Sequence, residues 1–158
     1  ATVGQIGKLK ECRVVGIAGG AEKCRYAVEE LGFDACIDYK AFPDAKSLYK
    51  ALKDAAPNGV DCYFENVGGA ILDAVLSNMN AFGRIALCGM IAGYNGGPVP
   101  ITQPQLFLMN RLLLQGFIVS EHMEHWPEAL KELTPLAEEK NKLNRDEKIA
   151  TRWKSVTS

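Results

Sequence analysis

Arg13-Val14-Val15-Gly16-Ile17-Ala18-Gly19-Gly20-Ala21-Glu22-Lys23 is a short apolar run that breaks on paired glycines and restarts with helix-forming residues. An apolar run bounded by turn residues reads as a buried strand. Cys24, Ala27, Val28 and Leu31 then recur at helical spacing from about residue 22, and Gly32 supplies the stop. Strand, turn and helix follow one another within twenty residues, and this unit repeats along the chain.

Residues 35–38 form the next strand, and Ala45, Leu48, Leu52 and Ala55 stripe a second helix that Pro57-Asn58-Gly59 ends. Residues 60–65 read as a third strand, turned by Gly68-Gly69 into a helix bearing Leu72, Val75, Leu76 and Met79. A fourth strand covers 84–89, a Gly/Pro-rich loop 91–104, a short helix Leu106 and Met109, and a fifth strand 113–119. Trp126, Leu130, Leu133 and Ala137 mark the last helix. Strands with little alternation between amphipathic helices predict an α/β fold, a doubly wound parallel sheet covered on both faces. Residues 1–10 are helical in character, without the apolar strand and Gly-rich turn that should feed such a helix. The expectation is a domain over 1–140 that lacks its first, central strand and phosphate loop. Residues 141–158 are expected to be a divergent polar tail.

The 158 residues suffice for one domain with its own core. A hydrophobic share of 47%, a charged share of 23% and a net charge of -1 argue against electrostatic capture of nucleic acid or an anionic membrane. No apolar run approaches a membrane span. Cys12, Cys24, Cys36, Cys62 and Cys88 are dispersed, which suits buried small hydrophobes in a reducing cytoplasm better than disulfides. His122 and His125 stand three apart with no cysteine or carboxylate cluster joining them, so no metal site is expected.

In such a sheet ligands bind at the carboxyl ends of the strands. The first turn ends on Gly19 and Gly20, where an NAD site usually carries a carboxylate for the ribose hydroxyls. Glycine leaves room and no charge, while Lys23 on the first helical turn offers a cation beside helix amides. This spacing favours NADP(H) over NAD(H). After the third strand, Asn66 can offer its amide to a cofactor, with Val67-Gly68-Gly69 permitting close approach; a plain turn is the alternative. After the fourth, Cys88-Gly89-Met90-Ile91-Ala92-Gly93-Tyr94-Asn95 could lie over a nicotinamide ring or serve as a flexible loop.

Together these turns resemble the medium-chain dehydrogenase/reductase superfamily. More narrowly, they resemble its zinc-independent branch of prostaglandin, 2-alkenal and curcumin-type reductases. The likeness also runs through Val3-Gly4-Gln5-Ile6-Gly7-Lys8-Leu9-Lys10, Leu31-Gly32-Phe33-Asp34, Asp38-Tyr39-Lys40, Tyr63-Phe64-Glu65-Asn66-Val67-Gly68-Gly69 and Leu114-Gln115-Gly116-Phe117-Ile118-Val119. It implies a Rossmann-like fold and NADPH-dependent reduction of a carbon-carbon double bond conjugated to a carbonyl, in an enone, alkenal or quinone. On matching positions it implies Lys23 and Tyr39, with Gly19, at the 2′-phosphate and Asn66 along the cofactor. It puts Cys88, Gly89, Met90, Ile91, Tyr94, Phe117, Ile118 and Val119 around the nicotinamide. Tyr94 would orient ribose or substrate and assist protonation as a hydrogen-bond donor.

The resemblance also implies a substrate-binding domain outside these residues, so the chain is expected to be a cofactor-domain fragment with little catalysis of its own. A non-catalytic nucleotide-binding module and a self-associating structural fragment remain the alternatives. Loss of a central strand would part residues 14–17 from 60–65 and leave edges that seek partners. A homo-oligomer joined through sheet edges, residues 116–119 included, is therefore expected.

Overall fold

The computed structural model describes residues 2–42 and 44–138. Five parallel strands alternate with helices, as the repeated strand-turn-helix unit predicts. α1 (Thr2–Leu9) leads into β1 (Val15–Ala18), α2 (Ala21–Glu29) and β2 (Ala35–Asp38). α3 (Ala45–Ala55), β3 (Val60–Glu65), α4 (Gly69–Leu76) and β4 (Met79–Leu87) follow, then α5 (Gln105–Asn110), β5 (Leu113–Gly116) and α6 (Trp126–Glu138). The expected tail at 141–158 lies outside the described residues.

The strands form two sheets, β1-β2 and β3-β4-β5, each parallel throughout. Among the described residues β1 does not pair with β3, so each has one bonded edge. A common core nevertheless runs beneath both sheets. Leu48 and Leu52 of α3 and Ile71, Leu72, Val75 and Leu76 of α4 pack with Ile37 of β2 and Ile85 of β4. Val15 and Ile17 of β1 and Val60 and Tyr63 of β3 join from the two inner strands. The α3–α4 layer thus holds both sheets by their shared apolar face.

Asp34 fixes the entry to β1. Its carboxylate accepts the Lys8 ammonium at 2.9 Å and the Val14 amide at 2.7 Å. These two donors, the lysine foremost, hold its pKa below the usual carboxylate value. The α2–β1 turn needs its glycine, since Gly20 has φ of 109°, a conformation L side chains rarely adopt.

Four expectations need correction. The α4 stripe ends at Leu76, and Met79 opens β4 instead of extending the helix. Ser77 Oγ donates to the Asp73 carbonyl and Asn78 Nδ2 to the Ala74 carbonyl, spending the last helical acceptors on side chains. β4 therefore starts five residues early. Its register against β3 jumps from Val60↔Met79 to Cys62↔Arg84, and Phe82 takes φ of 63° within that bulge. The fourth and fifth strands also stop sooner, at Leu87 and Gly116, which leaves Cys88-Gly89 and Phe117-Ile118 in the loops beyond and Val119 at the start of a 3-10 segment. Finally, β3 is covered on one face only: Tyr63 and Glu65 face the core, while Cys62 and Phe64 are exposed. Cys12, Cys62 and Cys88 are all exposed, so they are not the buried hydrophobes expected.

Candidate functional site

The carboxyl ends of all five strands carry the expected site residues, in two clusters that follow the two sheets. The first is built on β1 and β2. Gly19 leaves β1 beneath the chain that leaves β2, so closely that a Cβ on Gly19 would stand 3.0 Å from both Tyr39 Oη and Lys40 Cε. Asp38, the last residue of β2, accepts the Gly20 amide at 2.8 Å and the Lys40 amide at 3.0 Å with one oxygen. One carboxylate oxygen thereby ties the two turns together.

α2 rises from this junction with no side chain capping its amino terminus, and the space where a Gly20 side chain would project is open. Its first-turn amides have no intrahelical partner and favour an anion. Lys23 lies exposed on that turn, and no ion pair engages it among the described residues. Gly19 and Tyr39 thus meet at the ends of neighbouring strands, with Lys23 on the helical turn that follows Gly20. This cluster suits a phosphorylated ribose: open backbone amides, a phenol, a cation, and a carboxylate oxygen already occupied by backbone.

The second cluster is built on β3, β4 and β5, and its organiser is Glu65. The side chain is fully buried. Oε1 accepts the Val67 and Gly68 amides, and the Glu65 carbonyl accepts those of Cys88 at 2.9 Å and Gly89 at 3.2 Å. Asn66 and Val67 carbonyls then accept Ile91 and Ala92, each at 3.0 Å. Asn66 is consequently laced to the loop carrying Cys88, Gly89, Met90, Ile91 and Tyr94. Tyr94 Oη reaches back to 3.5 Å from the Cβ position of Gly89. Burial pushes the phenol pKa of Tyr63 up, and the nearby Glu65 carboxylate adds to it.

Phe117 completes this end. Its amide donates to the Leu87 carbonyl at 3.3 Å, and its ring lies 6.2 Å from that of Phe64. Of the residues expected to enclose a nicotinamide, Gly89, Met90 and Phe117 are half-buried, but Ile91, Tyr94, Ile118 and Val119 are 59–71% exposed. They share one end of the sheet without closing over it.

Sequence reasoning passed over Glu65, Asp38 and Lys40. Glu65 and Asp38 each end a strand just before a glycine-bearing or polar turn, a position from which a carboxylate can reach unpaired amides; that was the available signal. Within 119–125, a 3-10 segment, Glu124 joins His122 and His125 with ligand atoms within 4.8 Å of one another, all three exposed. No cysteine joins them, and Cys24 and Cys36 lie together elsewhere, between α2 and β2. Burial foremost, then the Cys24 thiol, pushes the Cys36 thiol up to about 12, a poor metal ligand at neutral pH. Glu124 thus supplies the carboxylate that the sequence reading did not expect beside the two histidines.

A family profile described as "Zinc-binding dehydrogenase" matches residues 1–135. The NADPH-dependent curcumin reductase of Escherichia coli is 50% identical over 131 residues, 79% of this chain and 37% of that protein. Prostaglandin reductase 1 of Mus musculus is 50% identical over 120 residues, 75% of this chain and 35% of that protein. The crystal structure of CurA from Vibrio vulnificus in complex with NADPH superposes with a TM-score of 0.78 at 42% identity, covering 90% of this chain and 43% of that one. The chain thus spans less than half the length of these relatives. They are the reductases that the turn motifs resemble.

Proposed function

Since this chain belongs to the zinc-binding dehydrogenase family, we propose that it is the cofactor-binding portion of an NADPH-dependent reductase of the zinc-independent branch. The observation that carries this reading is the junction at the ends of β1 and β2, where Gly19, Gly20 and Tyr39 meet beneath an uncapped helix terminus. The relatives' own nucleotide, named for the Escherichia coli and Vibrio proteins, supports the same choice. Residues 1–140 form this portion, and a substrate-binding domain belongs to the whole protein.

NADPH, when bound, supplies a hydride for the β-carbon of an enone, alkenal or quinone. The chain's own residues hold and orient. Lys23 and Tyr39 donate to the 2′-phosphate above Gly19, a charge-assisted contact that NADH cannot make. The Asn66 amide and the Cys88, Gly89, Met90 and Ile91 backbone align the nicotinamide side, and Phe117, Ile118 and Val119 flank it. Tyr94 presents its hydroxyl at the Gly89 turn, from which it would orient the substrate and donate a hydrogen bond to the carbonyl oxygen while the α-carbon takes a proton from solvent water. The exposure of Ile91, Tyr94, Ile118 and Val119 favours nucleotide binding without turnover for this chain by itself.

Partners follow the same lines. The substrate is a small conjugated carbonyl compound, and the outer edge of β5 and the single-bonded edges of β1 and β3 favour a homo-oligomer joined strand to strand. Among the described residues no helix is long and apolar enough to cross a membrane. The unpaired thiols suit the cytoplasm.

Calorimetric titration with NADPH and NADH tests the reading, with Lys23→Ala as control. Micromolar NADPH binding, weaker NADH binding and a loss for NADPH in the variant are expected. Equal affinity for the two nucleotides in both proteins would end it.

A further inference from the structure

We propose that Lys40 is a specificity-determining residue that selects nucleotides carrying a 2′-phosphate. The inference rests on the cofactor reading above and adds a residue to which neither the turn chemistry nor the resemblance gave a role.

Lysine at a strand end is ordinarily a solvated surface cation. Lys40 is exposed, yet its stem is not free of the fold. Its Cε stands 3.0 Å from the Cβ position of Gly19, at the same distance as Tyr39 Oη. The ammonium is one bond beyond Cε, so it stays close to the Gly19 turn that the phenol also borders. Any side chain at residue 19 would contest this space, which gives the glycine a reason beyond backbone freedom.

Asp38 sets the backbone beneath it. The same Oδ1 accepts Gly20 N at 2.8 Å and Lys40 N at 3.0 Å, so the turn after β1 and the residue carrying the ammonium are fixed to one atom. The arrangement also spends Asp38. An aspartate at the end of the second strand would repel a phosphate if it faced the ribose freely, but here one oxygen is committed to two amides and the residue is half-buried. Among the described residues no ion pair engages Lys40. A cation with no carboxylate partner, beside a phenol and above a glycine, meets a dianion at this point and gains nothing from a bare 2′-hydroxyl. Lys40 thereby contributes to the choice between NADPH and NADH rather than to nucleotide affinity in general.

The 158-residue chain and its Lys40→Ala, Lys40→Arg and Lys23→Ala variants are to be titrated with NADPH, NADH and 2′,5′-ADP. Lys40→Ala is expected to weaken NADPH and 2′,5′-ADP about tenfold or more, the loss of one charge-assisted contact, and to leave NADH unchanged. Lys40→Arg should keep most of the preference, and the salt dependence of 2′,5′-ADP binding should fall in Lys40→Ala. Unchanged NADPH affinity in Lys40→Ala beside a loss in Lys23→Ala overturns the assignment and leaves the cofactor reading intact. Equal weakening of NADPH and NADH in Lys40→Ala also overturns it, because that marks a structural role. A wild-type chain that binds 2′,5′-ADP no better than 5′-AMP removes the cofactor reading and this assignment together.

Discussion

The two ends of the site are built in opposite ways. At β1–β2 the turns after two separate strands are tied by one Asp38 oxygen, beside Gly19 and Gly20. At β3–β5 the support is deeper, with a fully buried Glu65 and a carbonyl ladder running from Glu65 to Ala92. Yet the groups that support carries are 59–71% exposed at Ile91, Tyr94, Ile118 and Val119. The comparison separates a rigid foundation from a closed pocket. On the proposed reading, the adenosine end is the tied junction of the β1 and β2 turns, whereas the nicotinamide end has its foundation and little to exclude water.

The largest effect is expected where the two ends share their support. Leu76, with no exposed surface, lies in the core beneath both sheets. Leu76→Ala should cost about 3 kcal/mol, a large part of a domain's stability. Urea denaturation followed by both far-ultraviolet dichroism and tryptophan emission measures it. A loss under 1 kcal/mol would mean that the helical layer does not unite the sheets.

Glu65 separates the ends. Glu65→Leu leaves the Val67 and Gly68 amides without their acceptor and should cost about 2 kcal/mol. Glu65→Gln keeps an acceptor and should recover most of that. Amide exchange of the Asn66–Gly68 turn and of Cys88 and Gly89 should quicken in Glu65→Leu while Gly20 and Lys40 keep their protection. Quickening at Gly20 and Lys40 as much as at the Glu65 turn would erase the distinction between the two ends.

The smallest effect concerns thiols, and it carries a pH dependence. Cys62 and Cys88, both exposed, should be alkylated by iodoacetamide at pH 8 well before Cys36, whose thiol is pushed up to about 12. A raised folded-state pKa means that the folded chain favours the neutral thiol. That contribution to stability is fully present below the ordinary value of 9.0 and is lost as pH climbs toward about 12. Peptide mass mapping over time reads the order of labelling, and Cys36 reacting first would contradict the burial described for it.

Much of the fold was legible because its signals are local. The apolar run before Gly19-Gly20, the stripe of α3 and the Pro57-Asn58-Gly59 stop each fix an element within a few residues. Met79 misled because an apolar residue at helical spacing looks the same on either side of a helix end. The side-chain caps from Ser77 and Asn78 decide where α4 stops. The exposure of Cys62 and Phe64 was illegible for another reason, since whether a face is covered depends on elements distant in sequence. The same holds for the site. Gly19 and Lys23 follow from strand-turn-helix order, but Lys40 gains its place only from the approach of the β2 turn to Gly19. Glu65 reads as the last residue of a strand, and only its burial reveals it as the support of the turn that follows.

The direct test of the contrast is to titrate the chain with 2′,5′-ADP and with NADPH under identical salt. If the adenosine end recognises its ligand unaided and the nicotinamide end stays open, the two dissociation constants should agree within about threefold, less than 1 kcal/mol. NADPH binding more than about a hundredfold tighter would contradict the account, for it would require a nicotinamide pocket that already closes in this chain.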